Sequence, residues 1–114
     1  MKYIVVLTTL IAASSAQAGQ PISVSMAECA GITLAISHHV HTPHRKERIL
    51  SISDAWADAA DDEAGRDMSA VVIEKADMWR EKGRMVAFTE EFKDWTDYCG
   101  SLARHKGLKL VPES

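Results

Sequence analysis

Two cysteines, Cys29 and Cys99, stand about 70 positions apart, and whether they are joined decides what the rest of the chain can fold into. An oxidising compartment favours pairing them, and with only two the connectivity has a single solution. Closing a loop of that length stabilises a fold by roughly 4 kcal/mol in the chain-entropy picture, comparable to the whole stability of a small domain. Neither cysteine belongs to a Cys-x-x-Cys or Cys-x-x-Cys-His motif, so a bridge is expected rather than a metal pair or a catalytic thiol.

The amino-terminal segment supplies the compartment. Met1-Lys2 forms a short positive region, Ile4 to Ala13 an apolar run, and Ala16-Gln17-Ala18 a small-x-small cleavage site. This run of ten residues, eight of them apolar, is about half of the roughly 20 that a membrane-spanning helix needs. Residues 1–18 therefore read as a signal peptide, and cleavage would leave Gly19 at the new terminus of a single helical domain over 19–114. No later stretch is long and apolar enough to span a bilayer. A short signal with one lysine suits a Gram-negative periplasmic protein, so the expected location is periplasmic or secreted.

The mature segment keeps 12 basic against 16 acidic side chains once Lys2 is lost, a net charge of about −4. Nucleic-acid-binding domains usually carry a basic excess, so nucleic acid is not expected as a partner. The remaining length suffices for one modest core and not for two.

Helical spacing dominates the pattern. Ser25 with Glu28 forms a capping box and Val24 with Cys29 a hydrophobic staple, which predicts a first helix from about 26 to 40. Its buried face carries Cys29, Ile32, Thr33, Ile36 and Val40, and Gly31 within it suits the close approach of a neighbour. Thr42-Pro43 provides a cap and an N1 proline for a second helix over 43–64, ending at Gly65, with Ile49, Ile52 and Trp56 inward. Its basic start (His44, Arg45, Lys46, Arg48) and acidic finish (Asp58, Asp61, Asp62, Glu63) both oppose the helix dipole. Either the helix begins later, near Ser51 or Ser53, or those charges serve another purpose. Asp67 can cap a third helix over 68–82 with Met68, Val72, Ala76 and Trp79 on one face, and Gly83 marks its end or a kink. Met85, Phe88, Phe92, Trp95, Cys99 and Leu102 then recur in steps of three and four, the spacing of a buried seam in a fourth helix ended by Gly107. The fold expected is all-α: a small up-and-down bundle of three to four helices stapled by a Cys29–Cys99 disulfide between the first and last.

The unusual segment is Ser37 to Lys46, which holds His38, His39, His41 and His44. Imidazoles this close suit Cu²⁺, Ni²⁺ or Zn²⁺, a solvated helix end, or a pH-responsive surface. Asp54, Asp58, Asp61 and Asp62 read as a solvated acidic stripe, because no Ca²⁺-loop pattern accompanies them. Trp56, Trp79 and Trp95 lie on apolar stripes and read as core. No nucleophile elbow, phosphate loop or His-Glu-x-x-His motif orders the Ser, His and Asp residues, so no enzyme is expected. The general plan of a short exported helical domain with one disulfide resembles that of small periplasmic acid-stress chaperones. That resemblance is one of architecture and assigns no residue a role. The function expected is a non-catalytic periplasmic binding or interaction protein with a protein partner. A transition-metal-binding protein using His38, His39, His41 and His44 is the second reading, and a small enzyme of unknown reaction the third.

Overall fold

The computed structural model describes residues 20–110. The signal segment and its cleavage site lie outside the described residues, as does the tail from 111 onward. Helix α1 spans Ile22–Ser37, α2 Pro43–Ala64, α3 Ser69–Glu81 and α4 Glu90–Lys106, with a 3₁₀ turn at Arg84–Phe88 between the last two. Among the described residues there is no strand. The molecule is a small all-α bundle closed by the Cys29–Cys99 disulfide, whose Cα atoms are 5.9 Å apart.

Helix α1 is the centre of the bundle, with α2 on one side, α3 on another and α4 bridged to it by the disulfide. Residues 25–32 are buried without interruption, the mark of a helix enclosed on all sides. Small residues make this possible. Ser25, Ala27, Ala30 and Gly31 keep the helix narrow, and a Cβ placed on Gly31 would stand 2.7 Å from Lys75 Cβ and 2.8 Å from the Ala76 backbone nitrogen. The close approach expected at Gly31 is therefore the crossing of α1 with α3. Across the α1–α2 contact, the buried Ser53 hydroxyl donates to the Ala30 carbonyl at 2.9 Å.

The first helix departs from expectation at its start. It begins four residues earlier, behind Pro21, and Ser25 and Glu28 lie inside it rather than forming a capping box. Glu28 is drawn instead into the core. Its Oε2 accepts from Trp79 Nε1 at 2.8 Å and its Oε1 lies 3.4 Å from Lys75 Nζ. A buried carboxylate needs such partners, and the two groups on α3 supply both a donor and a countercharge.

Helix α2 runs from Pro43 despite its unfavourable charges, and Gly65 closes it. Two of the acidic groups at its end hold neighbouring segments. Asp61 Oδ1 accepts from the Met68 backbone N–H at 2.7 Å, and Glu63 Oε1 takes Lys106 Nζ of α4 at 3.3 Å. Asp67 receives the Ser69 N–H at 2.8 Å and bonds the Ser69 hydroxyl as well, but α3 begins at Ser69, one residue later than expected, with Met68 rather than Asp67 in the cap position.

The last seam is the second departure. Gly83 takes φ of +84°, open to glycine at little cost, and α3 and α4 are separate helices rather than one kinked helix. The chain then makes the 3₁₀ turn, and Thr89 Oγ1 caps α4 by accepting from Phe92 N. Met85 and Phe88 fall before that restart and are 66% and 81% exposed, whereas Trp95, Cys99 and Leu102 are buried as the spacing predicts.

Candidate functional site

Three helices leave an apolar groove beside the disulfide. Its floor and one wall are Cys29, Ile32, Thr33 and Ile36 of α1, four positions on one helical face. Ile49, Ile52 and Trp56 of α2 form the second wall at the same periodicity. Phe92, Thr96, Cys99 and Gly100 of α4 form the third side, and Leu110 of the tail borders it. The groove offers a space of about 300 Å³ that is open to solvent.

The groove lies where α4 meets α1 far less extensively than α2 or α3 does. The disulfide fixes the approach at Cys99, Gly100 beside it carries no side chain, and Phe92 stands two turns away. Phe92 is in turn held by an edge contact with Trp79, ring centroids 6.2 Å apart and planes at 69°. Trp79 is anchored by its bond to Glu28, and Lys82 Nζ lies 5.4 Å above its ring. The buried Glu28–Lys75–Trp79 group therefore positions one wall of the groove from behind.

Chemically the lining is almost wholly hydrocarbon and aromatic. Its two hydroxyls are engaged by their own helices, Thr33 donating to the Cys29 carbonyl at 2.7 Å and Thr96 to the Lys93 carbonyl at 3.0 Å. Both sulfurs are in the disulfide, so neither is a thiolate nucleophile. A surface of this kind removes an apolar group from water.

The histidines lie at the connection between α1 and α2. His38 ends α1, His39 and His41 follow in the turn, and His44 lies in the first turn of α2. They do not converge. Among the described residues no three or more His, Cys, Asp or Glu side chains are placed to hold a metal ion. Partial desolvation, then the positive charges of Arg80, Lys46 and His39, hold the His38 imidazole below its ordinary range. That surrounding is cationic, which disfavours an added cation.

Of the residues singled out in the sequence, Cys29 and Cys99 meet at the groove, and Trp56 is both core and groove wall. Trp79 and Trp95 are core. Asp54, Asp58 and Asp62 are exposed, and Asp61 is turned to Met68. Glu28 and Lys75 had no signal as a buried pair, because 47 positions separate them and each suits a solvated helix. The groove residues were visible only as core stripes. Comparison with protein-family models, curated proteins and solved structures finds no match to this chain.

Proposed function

We propose that this chain is a non-catalytic binding protein of an exported compartment, and that its binding site is the apolar groove between α1, α2 and α4. The observation that carries the reading is the lining itself: Ile32, Ile36, Ile49, Ile52, Trp56 and Phe92 around a space of about 300 Å³ that is open to solvent. Apolar pockets of this size with few polar groups are the usual form of a small-ligand site. The export half rests on the Ala16-Gln17-Ala18 site behind an apolar run and on a disulfide that suits an oxidising compartment.

A neutral fluorescent probe that brightens in apolar surroundings tests the site. It should bind the wild-type protein and fail to bind Ile36→Glu, whose helical circular dichroism is retained. Probe fluorescence that is absent in the wild type, or indifferent to the substitution, would overturn the reading. Mass spectrometry of the exported protein tests the compartment: a chain beginning at Gly19 is expected, and Met1 retained in the mature pool would contradict it.

A further inference from the structure

The charges around the groove narrow the choice of occupant. Ile36 is the groove residue nearest the end of α1 and Ile49 the one nearest the start of α2, so together they mark the end that faces the α1–α2 connection. Along α2, positions 45, 49, 52 and 56 share one face, which places Arg45 one turn beyond Ile49 on the groove line. Arg48 stands one turn before Ile52 beside it. Both arginines are exposed, and neither makes an ion pair among the described residues. The first turn of α2 contains no acidic residue, and Glu47 lies two positions from Arg45, on a different face. On the α4 side, Glu91 is held by Lys82 at 3.2 Å. Arg45 and Arg48 thus flank the α2 wall at this end of the trough, each one turn from a lining isoleucine.

On the reading of the groove as a binding site, we propose that its occupant is a single-chain anionic amphiphile, with its hydrocarbon chain in the groove and a carboxylate head at Arg45 and Arg48. The volume fits. At roughly 30 Å³ for each water-sized group, 300 Å³ holds on the order of ten, and a methylene is of that size. The lining suits a methylene chain better than an extended peptide, whose C=O groups would find no free donor along the walls and whose N–H groups would find only the oxygens of two threonines. Arginine is the side chain that matches a carboxylate with two parallel hydrogen bonds. This arrangement also gives a purpose to the basic start of α2, which the helix dipole alone disfavours.

Calorimetric titration below the micelle concentration tests the proposal with octanoate, decanoate, 1-decanol and decyltrimethylammonium. Decanoate should bind with a stoichiometry of one, tighter than octanoate by about fourfold for each methylene buried. It should exceed 1-decanol and decyltrimethylammonium by about tenfold or more. The double variant Arg45→Glu/Arg48→Glu should lose that preference while the neutral probe still binds. If the probe binds and the head group or the arginines make no difference, the amphiphile is wrong and the groove remains a site for a neutral ligand or a protein segment. If neither probe nor decanoate binds, or decanoate binds without saturating, the groove reading fails with it.

Discussion

Replacing Gly31 by alanine sets two known effects against each other. In an isolated helix the change stabilises, because glycine is about 0.8–1 kcal/mol poorer than alanine as a helix former. Here the new Cβ meets Lys75 Cβ at 2.7 Å, Ala76 N at 2.8 Å and Lys75 C at 3.0 Å. Two of those three atoms are backbone, so no flexible side-chain tip can move aside, and α3 must shift bodily. Overpacking of this kind typically costs 1–3 kcal/mol, and here the displaced helix also carries Lys75 and Trp79, the partners of buried Glu28. The packing cost exceeds the propensity gain, and a net loss of up to about 2 kcal/mol is expected. For a domain of this size that lowers Tm by up to about 15 °C. Gly100→Ala is the matched control. It too lies inside a helix, but its nearest neighbour is the tip of Arg104 at 3.7 Å, so the propensity gain should survive and Tm should rise. Thermal unfolding followed by circular dichroism measures both. A stabilised Gly31→Ala protein would refute the close α1–α3 crossing.

Three further outcomes follow from the packing and the charges. Reduction of Cys29–Cys99 should cost about 4 kcal/mol for a sequence separation of 70, read as a large drop in Tm; an unchanged transition would mean that the bridge constrains nothing. Lys75→Met should cost about 3 kcal/mol by leaving the Glu28 carboxylate buried beside only one donor, and adding Glu28→Gln should recover most of that loss; denaturant unfolding of the three variants shows whether the two changes are coupled. The His38 imidazole, held low by desolvation and by Arg80, Lys46 and His39, takes up its proton later in the folded state than in the unfolded one. Stability attributable to it is therefore present above about pH 6.5, begins to fall as the pH drops through that value, and stops falling only beneath the folded-state midpoint. An NMR titration should place the His38 midpoint below 6.5 and move it upward in Arg80→Gln, whereas a midpoint at or above 6.5 would contradict the assignment.

Local signals read correctly wherever the chain's own neighbours decided the outcome. Thr42-Pro43 and Gly65 bound α2 as they stand in the sequence, and Gly107 ends α4. The disulfide followed from two cysteines on apolar stripes, and Gly31 from its place inside a buried helix. Prediction failed where tertiary partners outbid local ones. Ser25 and Glu28 match a capping box, yet Glu28 finds Trp79 and Lys75 across the core, and the helix extends past the box to Ile22. The period of three and four runs unbroken from Met85 to Leu102, but Gly83 and the Thr89 cap divide the backbone, so only the part after Thr89 is buried. The histidine segment drew attention by composition, while the groove gave none, since a residue lining a groove and a residue filling a core have the same periodicity. What separates them is how far α4 stands from α1 and α2, which depends on the disulfide and on the Phe92–Trp79 contact.

Isoleucine methyl groups report on the groove most directly. Six isoleucines follow residue 19: Ile32, Ile36, Ile49 and Ile52 line the groove, while Ile22 and Ile73 lie elsewhere and are partly exposed. In a methyl-labelled NMR spectrum titrated with decanoate, the signals of Ile32, Ile36, Ile49 and Ile52 should shift together along one saturable curve while those of Ile22 and Ile73 stay in place. Shifts led by Ile22 or Ile73, or no shift among the four, would contradict the assignment of the groove as the binding site.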